Sequence, residues 1–166
     1  MSAVELNRSN LRRLRPPVRV PGYNPAAVSA GIVHLGLGNF HRAHMARYVH
    51  ELMERRPDAL QYGIVGAGLL PGDRRMHDAL APQDGLYTLV ERSGAGENVT
   101  VVGSLAGLVF AGDSSAELLD AIDGAGVRIV SLTVTENGYC LNRSTKRLDP
   151  GHPLVRQDLG DPARPR

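Results

Sequence analysis

Cysteine is nearly absent. Cys140 is the single one in 166 residues, so no disulfide can form within the chain. That fits a reducing, cytoplasmic setting. Lysine is equally scarce, with Lys146 alone in a polar S-T-K-R stretch. A lysine acting as a base needs burial to lower its pKa, and a solvated loop lysine is the expectation here. No apolar run approaches the roughly 20 residues of a membrane span. The opening MSAVELNRSNLRRLRPP carries charges with no apolar segment after them, unlike a secretory signal. No H-E-x-x-H occurs. Although His41, His44 and His50 lie on or near one expected helix, the ligand set of a catalytic zinc site is not assembled, and no metal is expected. Ser93 and Ser104 lack the context of a nucleophile elbow.

Charge of one sign is also missing. Nineteen Lys and Arg face seventeen Asp and Glu, a net charge of +2. Part of the basic excess lies at the ends, in Arg8, Arg12, Arg13, Arg15 and Arg19, and again in Arg156, Arg164 and Arg166. A nucleic-acid-binding domain concentrates a basic face, whereas the middle of this chain mixes both signs. Neither a nucleic acid nor a membrane is expected as a partner.

What is present suits one globular α/β domain. Hydrophobic residues make up 42% and charged residues 22%. There are nineteen glycines, several of them where apolar runs end. Residues 1–30 read as a basic, then proline-rich arm. GIVHLGL at 31–37 reads as a buried strand broken at His34. A helix is predicted over 39–55, with Asn39 as N-cap and Met45, Tyr48, Val49, Leu52 and Met53 on its apolar face. QYGIVGA at 61–67 reads as a second strand, followed by a turn to Asp73 and a short helix from Arg74 to Leu80. Tyr87–Arg92 and Val99–Ser104 flank SGAGEN as a hairpin. Ser114 and Glu117 form a capping box for a helix that presents Leu118, Leu119 and Ile122. VRIVSLTV at 127–134 has the near-continuous apolar character of a central parallel strand. Residues 143–166 are polar and show no periodic face. The alternation implies a Rossmann-like, doubly wound, mainly parallel sheet with a hairpin insertion. Residues 31–142 form its dinucleotide-binding domain, and 143–166 a polar tail that begins a continuation.

Gly36-Leu37-Gly38-Asn39-Phe40-His41 follows the first strand and opens the first helix. The first glycine permits a sharp turn, and the second lets a pyrophosphate approach the backbone. Unsatisfied N–H groups at the helix start then face the phosphates. His41 stands where the third glycine of G-x-G-x-x-G belongs, so a generic tight turn remains the alternative. Asp73, after the second strand, is placed to accept bonds from the adenosine ribose. It could equally cap the helix at Arg74, and the two roles can coexist. Arg74 and Arg75 could receive a 2′-phosphate, which leaves NADP possible beside the favoured NAD.

Four segments, GIVHLGLGNFHRAH, YGIVGAGLLPGDRRMHDAL, QDGLYTLVER and VRIVSLTVTENGYCL, resemble the polyol-specific long-chain dehydrogenase/reductase family. That family spans mannitol dehydrogenases and hexuronate reductases. The likeness runs over residues 5–165. It implies that Gly36, Gly38 and Phe40 belong to the cofactor-phosphate site and that Asp73 holds the ribose. Gly72 stands where mannitol enzymes often carry a second acid. His41 and Arg42 are expected to flank the phosphates or a domain interface. Thr135 and Glu136, within T-E-N-G-Y where the family commonly reads T-E-G-G-Y, would face the ligand crevice. The family's catalytic lysine, asparagine and histidine lie in a second, mostly helical domain, and they have no counterpart here. The V-D-R-I motif is also missing. The chain, about a third of such an enzyme, is therefore expected to be inactive alone. It would be the NAD-binding part of an oxidoreductase that interconverts a sugar alcohol and a ketose or reduces a hexuronate. The alternatives are a non-catalytic nucleotide-binding module or decayed fragment, and a methyltransferase. Against the last, Val33 and His34 stand where an upstream acid is usual.

Overall fold

The computed structural model describes residues 4–94, 96–112, 114–134 and 140–164. They fall into two compact units, one up to Thr133 and one from Val134 onward.

In the first unit the chain begins with a 3-10 turn, Arg8–Arg13, and a two-residue strand β1 (Val18–Arg19). Strand β2 (Ala30–Leu35) leads into helices α1 (Asn39–Ala43) and α2 (Met45–Arg55). Strand β3 (Gly63–Gly68) and helix α3 (Arg74–Leu80) follow. Strands β4 (Tyr87–Ser93) and β5 (Gly96–Val102) form the antiparallel hairpin. Then come β6 (Leu105–Phe110), α4 (Ala116–Ile122) and β7 (Ile129–Leu132).

The main sheet is four-stranded in the order β6-β3-β2-β7, and every pairing in it is parallel. The connection from β2 runs to one side, whereas the connection from β6 runs back across to β7 on the other. The order therefore reverses at β2, which makes the carboxyl ends of β2 and β7 the switch point, the place where open α/β sheets bind ligands. Side chains alternate along a strand, so the sheet feeds two separate cores. Ile32 and Ile64 pack with Leu37, Ala46, Leu80, Tyr87 and Val102 on one face. Val33 and Val65 pack with Ala67 and Leu118 of α4 on the other. This is a doubly wound, Rossmann-like fold with β4 and β5 inserted between β3 and β6.

Several expectations need correction. The apolar run Leu105–Phe110, left unread above, is a full strand and one edge of the sheet. The strand expected at 127–134 is shorter and, among the described residues, lies at the opposite edge, paired with β2 alone. The single helix over 39–55 is two helices parted at His44, whose φ of −119° and ψ of −78° break the spiral. Its inward face is Met45, Ala46, Val49, His50 and Met53, while Tyr48 and Leu52 are exposed. His50 turns inward because its Nδ1 meets the Tyr23 hydroxyl at 2.7 Å. The capping box does not close. The N-cap of α4 is Ser115, Ser114 Oγ accepts from Ala116 N–H at 3.2 Å, and Leu119 is exposed. The basic arm is tied to the domain, since β1 pairs in parallel with β5 and Gly22 N–H donates to Glu54 Oε1 at 2.8 Å.

The second unit holds a small antiparallel ladder of β8 (Leu141–Asn142) and β9 (Arg147–Leu148), and a helix α5 (Pro153–Gly160). That helix was not legible in its composition. It is set up by Pro153 at its first position and by His152, whose Nδ1 accepts from Leu154 N–H at 3.3 Å. No helix among the described residues is long and apolar enough to cross a membrane.

Candidate nucleotide-binding site

The turn after β2 is built from glycine geometry. Gly36 has φ +112°, a conformation that side-chain-bearing residues rarely adopt. Its N–H is already held by Ala67 O at 2.7 Å, which ties the turn to the end of β3. Leu37 then folds under the turn and is 1% exposed. It fits there because Gly66 has no side chain, a Cβ at that position lying 2.4 Å from Leu37 Cδ2. Gly38, extended at φ −64° and ψ 170°, is the N-cap of α1. The cap expected at Asn39 is therefore one residue earlier, and Asn39 is the first helical residue. Apart from the adjoining residues, no described atom lies within 4 Å of where a Cβ on Gly36 or Gly38 would stand, so the backbone at these two positions is open to a ligand.

The next residues lock the turn. The Arg42 guanidinium donates to Leu37 O through Nη1, and through Nη2 to Asn39 Oδ1 at 2.6 Å. Tyr87, from the hairpin, donates its hydroxyl to Arg42 O at 2.6 Å. Ser104, fully buried, donates to Ala46 O at 2.7 Å. Neither Tyr87 nor Ser104 was among the sequence-selected residues. Their signal would have been a polar group at the end of an apolar run, which sequence alone does not distinguish from a turn residue.

His41 is buried, at 1% exposed. Its ring stacks on His34 at 3.9 Å between centroids and 11° between planes. His34 Nδ1 meets Ser131 Oγ at 2.9 Å and its Nε2 meets Thr133 Oγ1 at 3.3 Å, which joins β2 to the end of β7. Neither ring nitrogen of His41 has a hydrogen-bond partner among the described residues. Burial, then the charges of His34 and Arg42, pull its pKa down to about 3, so it is a neutral ring at ordinary pH. Phe40 points outward, 64% exposed, with its ring 4.6 Å from that of His44. It borders an open apolar hollow shared with Met45, Tyr48 and Val49.

Asp73 closes the single 3-10 turn, Pro71–Asp73, that follows β3. Its Oδ2 accepts from Leu69 N–H and from Leu70 N–H, each at 3.0 Å. It makes no side-chain cap to α3, so of its two expected roles the capping one is not seen. Thr135 and Glu136 lie outside the described residues. Among the described residues no cluster of three metal-ligating side chains occurs.

A glycine turn at the switch point of the parallel sheet β6-β3-β2-β7, with an acid after β3, defines the nucleotide-binding class of α/β folds. Residues 30–163 match the family described as the Mannitol dehydrogenase Rossmann domain, and the chain belongs to that family. It is 43% identical to mannitol 2-dehydrogenase of Neosartorya fischeri, over 98% of this chain and 33% of that protein. It is 45% identical to the mannitol 2-dehydrogenase of Pyricularia oryzae, over 88% of this chain and 29% of that protein. In structure it resembles Pseudomonas fluorescens mannitol 2-dehydrogenase, solved as a ternary complex with NAD and D-mannitol, with a TM-score of 0.84 and 41% identity. A substrate-free D-sorbitol dehydrogenase is also similar, with a TM-score of 0.81 and 35% identity. The chain covers 32% and 33% of those two solved chains. It thus spans a third or less of each of these relatives.

Proposed function

We propose that this chain binds NAD(H) across the crevice at β2 and β7, as the cofactor-binding part of an oxidoreductase acting on a sugar alcohol and its ketose. The mannitol and fructose pair is the favoured substrate class, with hexuronates second. The observation that carries the reading is the open turn at Gly36 and Gly38, anchored from three sides and placed at the switch point. In this reading the pyrophosphate rests on the backbone of Gly36, Gly38 and Asn39. Arg42 acts by holding that backbone in shape. His41 supports the turn from below, and Phe40 belongs with the glycines to the phosphate site. Asp73 meets the ribose hydroxyls with its carboxylate, and Thr135 and Glu136 face the same crevice. Bound nicotinamide supplies a hydride donor or acceptor, while these residues bind and orient it. The family's catalytic lysine, asparagine and histidine have no counterpart in these 166 residues, so the chain by itself binds cofactor without turning over. A cytoplasmic setting, without nucleic acid or membrane partners, belongs to the same reading.

The test is a titration of the purified protein with NADH, followed by nicotinamide fluorescence. Asp73→Asn is the informative variant, because an amide oxygen can still accept from Leu69 and Leu70 while the charge is lost. Saturable binding, weakened in Asp73→Asn at an unchanged melting temperature, supports the ribose role. The proposal fails if a folded chain binds no NADH. Turnover of mannitol or fructose above background would overturn the expected inactivity.

A further inference from the structure

We propose that the basic arm builds a second binding site, a cavity at Arg8 and Arg12 that takes a small phosphate monoester. The proposal stands apart from the nucleotide-binding reading, because the cavity shares no lining residue with the glycine turn.

The cavity measures about 500 Å³, within the range of small-molecule sites. One wall is the 3-10 turn Arg8–Arg13. At roughly three residues per turn, Arg8 and Leu11 share a face and Arg12 adjoins it. The other wall is the segment 20–25 that leaves β1. Both walls are fixed by bonds outside the cavity. Asn7 caps the 3-10 turn, its Oδ1 accepting from Asn10 N–H at 3.0 Å, and Arg8 N–H donates to Asp84 Oδ2 at 2.9 Å. On the facing wall Glu54 holds Gly22, His50 meets the Tyr23 hydroxyl, and Pro25 is buried. A cavity held in shape in this way loses little entropy when a ligand enters.

The charge of the cavity has one sign. Arg8 and Arg12 line it, and no acid does among the described residues. Arg8 Nε is shut off from solvent and has no hydrogen-bond partner among the described residues. A charged donor left buried and unpaired is costly, and an anion on the Nη edge of the same guanidinium offsets that cost. Arg12 is exposed, and its side chain meets no acceptor among the described residues. Two carboxylates touch the walls, Asp84 and Glu54. Each accepts a backbone N–H of a wall residue, and neither lines the cavity. Two guanidiniums match the nearly double charge of a phosphate monoester, and their forked N–H groups pair with its oxygens. Leu11, Val20, Pro21 and Pro25 give the cavity an apolar side against which the organic part of the ester can rest.

The experiment is calorimetric titration of the purified chain with phenyl phosphate, whose ring suits the apolar side, and with inorganic phosphate beside it. Three variants are titrated in parallel. Arg8→Met removes the guanidinium and keeps the backbone bond to Asp84. Arg12→Gln removes the exposed charge without touching the walls, so it reads the site even if Arg8→Met fails to fold. Arg13→Gln removes an equal charge from the same turn, outside the cavity lining. Saturable binding of phenyl phosphate is expected, several-fold tighter than that of inorganic phosphate. Arg8→Met is expected to weaken it roughly tenfold or more, and Arg12→Gln several-fold, while Arg13→Gln leaves it unchanged. No saturable binding by a folded chain up to about 10 mM overturns the proposal. So does binding that neither Arg8→Met nor Arg12→Gln moves, which would put the anion elsewhere, as at the glycine turn. Equal weakening in Arg13→Gln would mean diffuse charge attraction and overturns it as well. Each of these outcomes leaves the NAD(H) reading standing.

Discussion

His41 shows how a single buried ring sets the response of the protein to acid. Its folded pKa is about 3, against an ordinary histidine value near 6.5. His34 and His50 are shifted downward too, each by burial first. Between these two values the unfolded chain binds a proton at His41 that the folded chain refuses. The stability tied to this site is therefore present above about pH 6.5 and drains away as pH falls toward 3, by up to about 1.4 kcal/mol per pH unit. Denaturant midpoints measured from pH 7.5 down to 4.5 should fall steadily. His41→Phe keeps a ring against His34 and removes the titration, so its slope should be shallower by close to one proton. At pH 7 the variant should be as stable as the parent or more so, because two buried nitrogens without partners among the described residues carry a desolvation penalty. An unchanged slope would assign the acid response to another group.

Among the elements, the short helix α1 depends on its neighbours. Its five residues are too few to be stable alone, and the break at His44 separates them from α2. The Tyr87 hydroxyl on Arg42 O provides an outside anchor. Tyr87→Phe should cost about 1 kcal/mol in stability, read from denaturant unfolding, and should loosen NADH binding more than Ser104→Ala, whose bond falls on α2. The anchor is also where sequence reading stopped short. Strands β2 and β3, helix α3 and the hairpin were legible because their apolar periods and turn residues agree locally. The glycine turn was legible because few residue types fit it. β6 was overlooked although LAGLVF has the continuous apolar character of a buried parallel strand. The split in the first helix was invisible, since its apolar spacing runs on through His44 and only packing against Ser104 and Tyr23 decides which residues face inward. Likewise His34 and His41 are seven positions apart, and nothing in that spacing says that the rings stack.

At the scale of the whole molecule, the sheet has an edge that invites company. Ile129, Val130 and Leu132 of β7 are all well exposed, Val130 by 49%. An exposed apolar edge strand is a template for pairing with another chain. Sedimentation of the protein should show association that rises with concentration, and Val130→Lys should suppress it without lowering the melting temperature by more than a few degrees. A monomer at every concentration would mean that the edge is covered. The strand order has a further consequence, for the birth of the protein. β2 leaves the ribosome well before β7, with β3 and its helix close behind it, and those local pairs can form while synthesis continues. The partner on its other side comes much later, since His34 and Ser131 lie 97 positions apart. Long-range parallel pairing of this kind is slow and leaves intermediates exposed. The β2–β7 side of this four-stranded sheet thus forms after the β2–β3 side, and until β7 arrives the nascent chain carries a half-built platform with one flank of β2 bare.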